Sequence, residues 1–291
     1  MEMLWSVLSD ALLDCIRQLP FLFAAFMLIE ALEHYQKNFT ENILTKFDKA
    51  GPCVGAVLGC IPQCGFSVMA ANLYAGGVVS LGTLFAVFMA TSDEAILIIM
   101  GNPGQGKTVI SLILCKMIIA VLAGYLVDLF LGRFIADVKW TGALCKDCGC
   151  NDHKHHKHKH TFLEHVVRPA LRHTFKIVGF IFIFTFVLNF LMEVIGFERL
   201  SAMLLSDTSF QPFAAALLGL LPNCAASVAL TGLYLDGFLT FPSVIAGLLS
   251  SAGVGWVVLF KVNTNKKESM RILLALYLMS ALVGMGMSLF L

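Results

Sequence analysis

Long apolar runs and short polar connections alternate over nearly the whole chain. The runs lie near residues 11–32, 53–75, 78–100, 108–132, 175–197, 211–235, 238–260 and 271–291. Each run is close to or longer than the ~20 residues that a helix needs to cross about 30 Å of hydrocarbon. The pattern predicts an all-α polytopic protein of the lipid bilayer with about eight to ten transmembrane segments.

One part of this pattern occurs twice, 160 positions apart. Proline removes a backbone donor and breaks a helix, and each copy carries a proline followed by an amide and a cysteine. We therefore predict two homologous halves, each built around a proline-broken or re-entrant helix. Between residues 59–77 and 219–237 the eight identities are Gly59/Gly219, Pro62/Pro222, Cys64/Cys224, Ser67/Ser227, Val68/Val228, Leu73/Leu233, Tyr74/Tyr234 and Gly77/Gly237.

The basic residues indicate how the runs cross, because cytoplasmic loops carry an excess of Lys and Arg. If every run crosses the membrane once, the loops on its two sides carry nearly equal numbers of Lys and Arg. If one run in each half is broken or re-entrant, sixteen of the 20 Lys and Arg are cytoplasmic, Lys116 lies inside a span, and Arg17, Lys107 and Arg199 are outside. An odd number of crossings per half turns one half over. We therefore predict inverted repeats whose broken helices meet near the midplane.

This topology divides the chain into three parts. Residues 1–132 form the first transmembrane repeat, residues 133–173 a cytoplasmic linker, and residues 174–291 the second transmembrane repeat. The composition agrees with a membrane protein: 58% of the residues are hydrophobic and 13% charged, against about 45–50% and about 25% in soluble domains. A net charge of +1 gives no reason to expect a nucleic-acid partner.

The linker is rich in metal ligands. Its thiols and imidazoles outnumber the four ligands that one tetrahedral ion needs, so we predict a flexible segment that binds a transition metal on the cytoplasmic side. The alternative is a solvated basic patch beside anionic lipid. We expect no other cofactor. The ligands are Cys145, Cys148, Cys150, His153, His155, His156, His158 and His160.

Two adjacent acids lie in the middle of an apolar run, where Asp93 and Glu94 follow Thr91 and Ser92. Ionisable residues inside a membrane are costly and by default mark an ion or proton pathway. The four residues also interrupt the run, and irregular backbone at membrane depth occurs only where it is buried or lines a cavity. We predict a substrate site at this interruption.

The repeated proline motif offers further ligands. Gln63 and Asn223 supply amide oxygens, and a carbonyl upstream of each proline loses its helical donor. Oxygen ligands suit a hard cation, whereas the thiols of Cys60, Cys64 and Cys224 suit a softer one. Ser67 and Ser227 are further candidates, although small residues at such places also let membrane helices approach closely.

At these residues the chain resembles a family of bacterial ten-transmembrane heavy-metal exporters, whose members are described as manganese transporters or as arsenic efflux proteins. The resemblance covers essentially the whole length. It implies five crossings per half and a multi-pass protein of the cytoplasmic (inner) membrane of a bacterium. It rests on the segments GCIPQCG at 59–65, ATSDEA at 90–95 and PNC at 222–224, and on the His-rich linker.

The leading hypothesis is a secondary-active transporter, not an enzyme, that exports a transition-metal ion in exchange for protons. Mn(II) is the first choice because it prefers oxygen ligands. The alternative is an efflux permease that holds As(III) or another thiophilic species on the intramembrane cysteines. A membrane enzyme built on the Cys/His linker and a channel are further alternatives, and a homodimer is compatible with each of them.

Overall fold

The computed structural model describes residues 50–61, 65–91, 106–131, 167–195, 210–222 and 224–290, together with isolated positions between 8 and 27 and at 95 and 99. The fold is helical throughout, and no strand occurs among these residues. The predicted all-α architecture is therefore confirmed. The predicted linker at 133–173 lies outside the described residues up to residue 166.

Four helices are described before the linker and six after it. The first group consists of α1 (Gly51–Gly59), α2 (Gly65–Ala75), α3 (Leu81–Ala90) and α4 (Gly106–Leu126), which continues as a π-helical segment over Val127–Leu131. The second group consists of α5 (Arg168–Ile195), α6 (Gln211–Gly219), α7 (Cys224–Leu235), α8 (Phe241–Ser250), α9 (Gly255–Val262) and α10 (Lys266–Phe290).

The helix bounds repeat at the same offset of 160 as the sequence. Shifting α1 and α3 by that number reproduces both ends of α6 and α8, and shifting α4 reproduces the start of α10. The turns repeat too: Gly77 and Gly237 have φ of 72° and 80°, a conformation that glycine adopts without steric cost. The helices stop at both predicted proline breaks, between α1 and α2 and between α6 and α7. The inverted orientation of the halves stays a prediction.

Four described segments are long and apolar enough to cross a membrane: Ile110–Phe130, Ala170–Val187, Phe241–Val262 and Lys266–Phe290. Phe241–Val262 consists of α8 and α9 with the irregular residues between them, and 89% of it is buried. The unbroken spans on α4 and α10 are only 33% and 28% buried. Within the described part of the chain, the broken span is therefore more deeply buried than the unbroken ones.

Within each half, the first and third helices pack closely at glycines. A Cβ atom on Gly59 would come 2.7 Å from Val87 O, and one on Gly219 would come 1.9 Å from Gly247 O. Val87 and Gly247 are themselves 160 positions apart. Small residues let membrane helices approach in this way, so the end of α1 lies against α3 and the end of α6 against α8.

The third helix of each half begins at a similar cap that uses a different partner. At α3, Asp128 accepts hydrogen bonds from Ser80 Oγ at 2.8 Å and from Gly82 N at 2.6 Å. At α8, Gln211 Oε1 accepts from Ser243 Oγ at 2.8 Å, and its Nε2 donates to Phe238 O at 2.9 Å. The bond from Gly82 N satisfies one of the backbone donors that every helix start leaves without an intrahelical partner. The other bonds connect hydroxyl and carbonyl groups beside the two helix starts.

The first half has no room for a glutamine cap. Gly51 is the counterpart of Gln211, and a Cβ atom there would meet Thr83 Oγ1 at 2.2 Å. Asp128 therefore reaches the start of α3 from the end of α4 instead.

The last helix begins at Lys266, five residues before the apolar run predicted at 271–291. Asn265 accepts a hydrogen bond from Glu268 N at 3.3 Å, as an N-cap side chain does. The first turn of α10 is therefore polar, and hydropathy alone places the start of the helix too late.

We expect Gly219→Ala to destabilise the protein, because the new methyl group would meet the backbone of α8. Overpacking of this kind costs about 1–3 kcal/mol, which should lower the midpoint of thermal unfolding in detergent by several degrees. Gly179→Ala in α5 is the matched control, because its Cβ atom would have nothing within 4 Å. An equal loss in both variants would contradict the packing described here.

Candidate functional site

Most of the predicted site residues lie outside the described residues. The described ones are Cys60, Ser67, Thr91 and Ser227, and for Cys224 only the backbone is described. The predicted site residues outside the described part are Gln63, Cys64, Ser92, Asp93, Glu94 and Asn223 in the membrane, and Cys145, Cys148, Cys150, His153, His155, His156, His158 and His160 in the linker.

Two helix ends from different halves meet at one side chain. Lys116, on α4, donates a hydrogen bond to Thr91 O at 2.5 Å, just past the end of α3. It donates a second one to Leu248 O at 2.9 Å, near the end of α8. Lys116 is fully buried. A single ammonium group therefore joins the ends of α3 and α8.

This junction lies near the middle of two candidate membrane spans. Lys116 is four residues from the centre of the span Ile110–Phe130, which is about 6 Å along a helix axis. Leu248 is similarly close to the centre of Phe241–Val262. The meeting of the broken helices near the midplane of the membrane stays a prediction.

The two interruptions of the first half also lie together. A Cβ atom on Gly59, at the end of α1, would come 2.9 Å from Ala90 Cβ and 3.3 Å from Thr91 N. Cys60, the next residue, is half-buried and has a free thiol. The chain therefore enters 62–64 and 92–94, which contain five of the predicted ligands, from adjacent helix ends.

The interruption between α8 and α9 leaves polar groups at the same depth. The hydroxyl of Ser251 is buried, with 3% of the residue exposed, and has no hydrogen-bond partner. Upstream, the carbonyl of Leu220 at the end of α6 accepts from Trp256 Nε1 at 3.0 Å. One carbonyl expected to face a cavity is thus already paired with an indole.

The two predicted serine ligands, Ser67 and Ser227, take part in contacts between or within helices. Ser67 lies against Gly255 of α9, where a Cβ atom would come 2.8 Å from Ser67 Cβ. The carbonyl of Ser227 accepts the hydroxyl of Thr231 at 2.7 Å. For Ser67, this is the close approach of helices that small residues allow.

The junction can hold a positive charge. The carboxyl ends of α3 and α8 carry partial negative charge, and in broken membrane helices such ends serve as cation ligands. Within the described part of the chain, no three Cys, His, Asp or Glu side chains lie together as a metal site. The predicted carboxylate and imidazole ligands fall outside that part.

Residues 1–194 match the ArsP_2 family model, described as "Putative, 10TM heavy-metal exporter". The chain belongs to this family. The match includes the whole first repeat with Lys116 and the Cys/His-rich linker, and it confirms the family inferred from the sequence. It ends at residue 194 and does not cover most of the second repeat, where the resemblance was also expected. No curated protein and no solved structure matched the chain.

Sequence reasoning missed the main polar residue of this exporter's junction. Lys116 was noticed only as the one basic residue left inside a span. The sequence did contain a signal: a charged residue inside a membrane is energetically costly and usually has a function. Lys116 is not repeated in the second half, because its counterpart 160 positions on is Leu276.

A second buried charge connects the halves of the exporter. Glu268, in the first turn of α10, is buried and accepts a hydrogen bond from the phenol of Tyr74 on α2. Asn265 and Glu268 have the spacing of a capping box, in which the glutamate would reach back to the N-cap amide. Here Asn263 Oδ1 accepts from Asn265 N at 3.0 Å instead. The carboxylate of Glu268 is therefore left to bind the other half.

We expect Tyr74→Phe to lower the free energy of unfolding by about 1–3 kcal/mol, because it removes the phenol that Glu268 accepts from. Tyr234→Phe is the control at the counterpart position, where the half-buried ring packs on Phe241 with centroids 6.2 Å apart. Thermal unfolding in detergent measures both variants. Equal stability of Tyr74→Phe and the wild type would show that the contact contributes little.

Proposed function

We propose that this heavy-metal exporter is a secondary-active transporter for a transition-metal ion, Mn(II) first, and that protons are the counter-ion. The observation that carries the proposal is the junction near mid-depth, where the ends of α3 and α8 converge. Secondary transporters of several folds bind substrate where discontinuous helices meet at such a depth.

An inverted arrangement of the two halves is part of the proposal, and contacts along α4 and α10 support it. Asp128 near the end of α4 binds the start of α3, while Lys116 in mid-helix lies at the end of α3. In the other half, Gly284 near the end of α10 packs against Ala246 and Pro242 at the start of α8. Both α3 and α8 therefore run from a membrane face towards the junction.

The contact between the halves indicates that these are opposite faces. Glu268 at the start of α10 binds Tyr74, and the turn after Tyr74 leads directly into the start of α3. The end of α4 and the start of α10 therefore lie on one face, so that α4 and α10 run antiparallel. These contacts support the proposal that α3 and α8 reach the junction from opposite faces, as inverted repeats would require.

The substrate ligands in this proposal are those of the interrupted segments. Asp93 and Glu94 come directly after Thr91 and Ser92, and Gln63 and Asn223 come from the proline breaks. Together they would supply the oxygen atoms that Mn(II) prefers. One of the two acids would carry the exchanged proton, because an intramembrane carboxylate is the usual proton carrier in transporters.

A thiophilic substrate is the second candidate, and the position of Cys60 favours it. Its free thiol directly follows Gly59, the last residue of α1, which packs against Ala90 and Thr91, and Cys64 and Cys224 belong to the same pair of breaks. Three thiols at the junction would bind As(III) rather than Mn(II). The cysteines and histidines of the linker would bind the metal on the cytoplasmic side of the inner membrane before export.

We expect cells that express the wild type to contain less Mn than cells without it, and Asp93→Asn to remove that difference, because the variant loses an ionised ligand. Elemental mass spectrometry under graded Mn, Zn and arsenite measures the metal content. Asp236→Asn is the control, since Asp236 is exposed in a turn and should export normally.

The same measurement separates the alternatives. Lowered arsenic with unchanged Mn, lost on replacing Cys60 and Cys64, would move the site to the thiols. Unchanged content of all these elements would refute metal export. Retained export in Asp93→Asn would exclude the acid as an essential ligand or proton carrier.

A further inference from the structure

The junction between α3 and α8 resembles a cation-binding site in which the ammonium group of Lys116 occupies the place of the ion. In an unbroken helix, Leu248 O would accept the amide of residue 252. Here Ala252 N donates to Ser250 O at 2.9 Å instead. The break thus frees the Leu248 carbonyl, and the ammonium of Lys116 takes it at 2.9 Å together with Thr91 O at 2.5 Å.

The two described hydrogen bonds of the ammonium would also suit a small monovalent cation. Its described ligands are neutral backbone oxygens at the carboxyl ends of two helices, which attract positive charge. A lysine ammonium is a compact point charge with three donors. A further oxygen is near in the chain: the Ser251 hydroxyl, buried and without a hydrogen-bond partner, follows Leu248 by three residues.

We propose that the ends of α3 and α8 form a monovalent-cation site that Lys116 fills permanently with its own ammonium group. This rests on the proposed function, since the site then lies beside the metal pathway. Export therefore needs no Na⁺ or K⁺ as a co-ion, because the chain supplies the charge that holds the two broken helices in place.

The second half supplies a control for the loss of a large side chain. Leu276 on α10 is the counterpart of Lys116 and is also buried. Lys116→Ala and Leu276→Ala both remove most of a buried side chain, but only the first removes a charge and leaves carbonyl oxygens unpaired. A purely structural role of Lys116 would make both variants insensitive to the cation in the buffer.

The first test is thermal unfolding of the purified full-length protein in detergent, with Na⁺, K⁺, ammonium or the bulky N-methylglucamine as the only monovalent cation. A small ion that binds the native state alone raises the midpoint of unfolding. We expect Lys116→Ala to gain about 2–4 °C in one or more of the three small ions at saturation, relative to N-methylglucamine. The wild type and Leu276→Ala should show no such difference.

A second variant keeps the test decisive if Lys116→Ala does not fold. Lys116→Gln retains an amide that can donate to one of the two carbonyls, and it should show a smaller shift in the same direction. Folded variants without any cation dependence would overturn the proposal. A wild type that is itself stabilised by Na⁺ or K⁺ relative to N-methylglucamine would overturn it as well.

The second test is uptake of Mn²⁺ into inside-out vesicles in the same set of cations. We expect the wild type to transport equally in all four, and Lys116→Ala to transport only when a small cation is present. Absence of Mn²⁺ transport by the wild type would refute Mn²⁺ export, but it would leave the cation site to the unfolding experiment. Lys116→Ala that is stabilised by small cations but inactive in all of them would contradict the stated link to export.

Discussion

No water is available in the hydrocarbon core of a membrane, so a backbone carbonyl that loses its helical partner there must find another inside the protein. This protein interrupts its helices near mid-depth, and side chains from distant parts of the chain satisfy the released groups. Lys116 donates hydrogen bonds to the carbonyls of Thr91 and Leu248, and Trp256 donates one to the carbonyl of Leu220. The breaks are stable because these partners exist.

The same partners determine which helices are mechanically connected. Lys116 joins three helices from both halves, whereas the caps made by Asp128 and Gln211 stay within one half each. Each half is thus stabilised internally at the start of its third helix, at the membrane face. Among these bonds, only those of Lys116 near mid-depth cross between the halves. Motion of one half against the other must therefore change the bonds of Lys116.

Much of the fold follows from local rules in the sequence. A proline in the interior of a helix removes a backbone hydrogen bond and interrupts the helix, so the repeated motif predicted both breaks. Its offset of 160 also applies to the helix bounds. The start of α10 was placed late, because Asn265 and Glu268 specify it through hydrogen bonds that a hydropathy pattern does not contain. The role of Trp256 was also invisible, since its acceptor lies 36 residues away.

The candidate site was predictable only in part, for a physical reason. Ligands that occur in both halves are found by comparing the halves, and this comparison selected the cysteines, the serines and the two amides. Lys116 occurs in one half only, and its acceptors are backbone atoms, which have no signature in sequence. Asp93 and Glu94 were found because acids are rare in apolar runs. The same reasoning applied to the lysine would have selected it.

The presence of Lys116 in one half and Leu276 in the other has a consequence for how this architecture can arise. A protein made of two first halves would bring two ammonium groups to the two carbonyls that one ammonium group binds in this chain. One made of two second halves would have none, and its released carbonyls would lack a donor. These carbonyls need one ammonium group, which two identical halves cannot provide. Divergence of the halves at this position is therefore a condition for joining them in one chain.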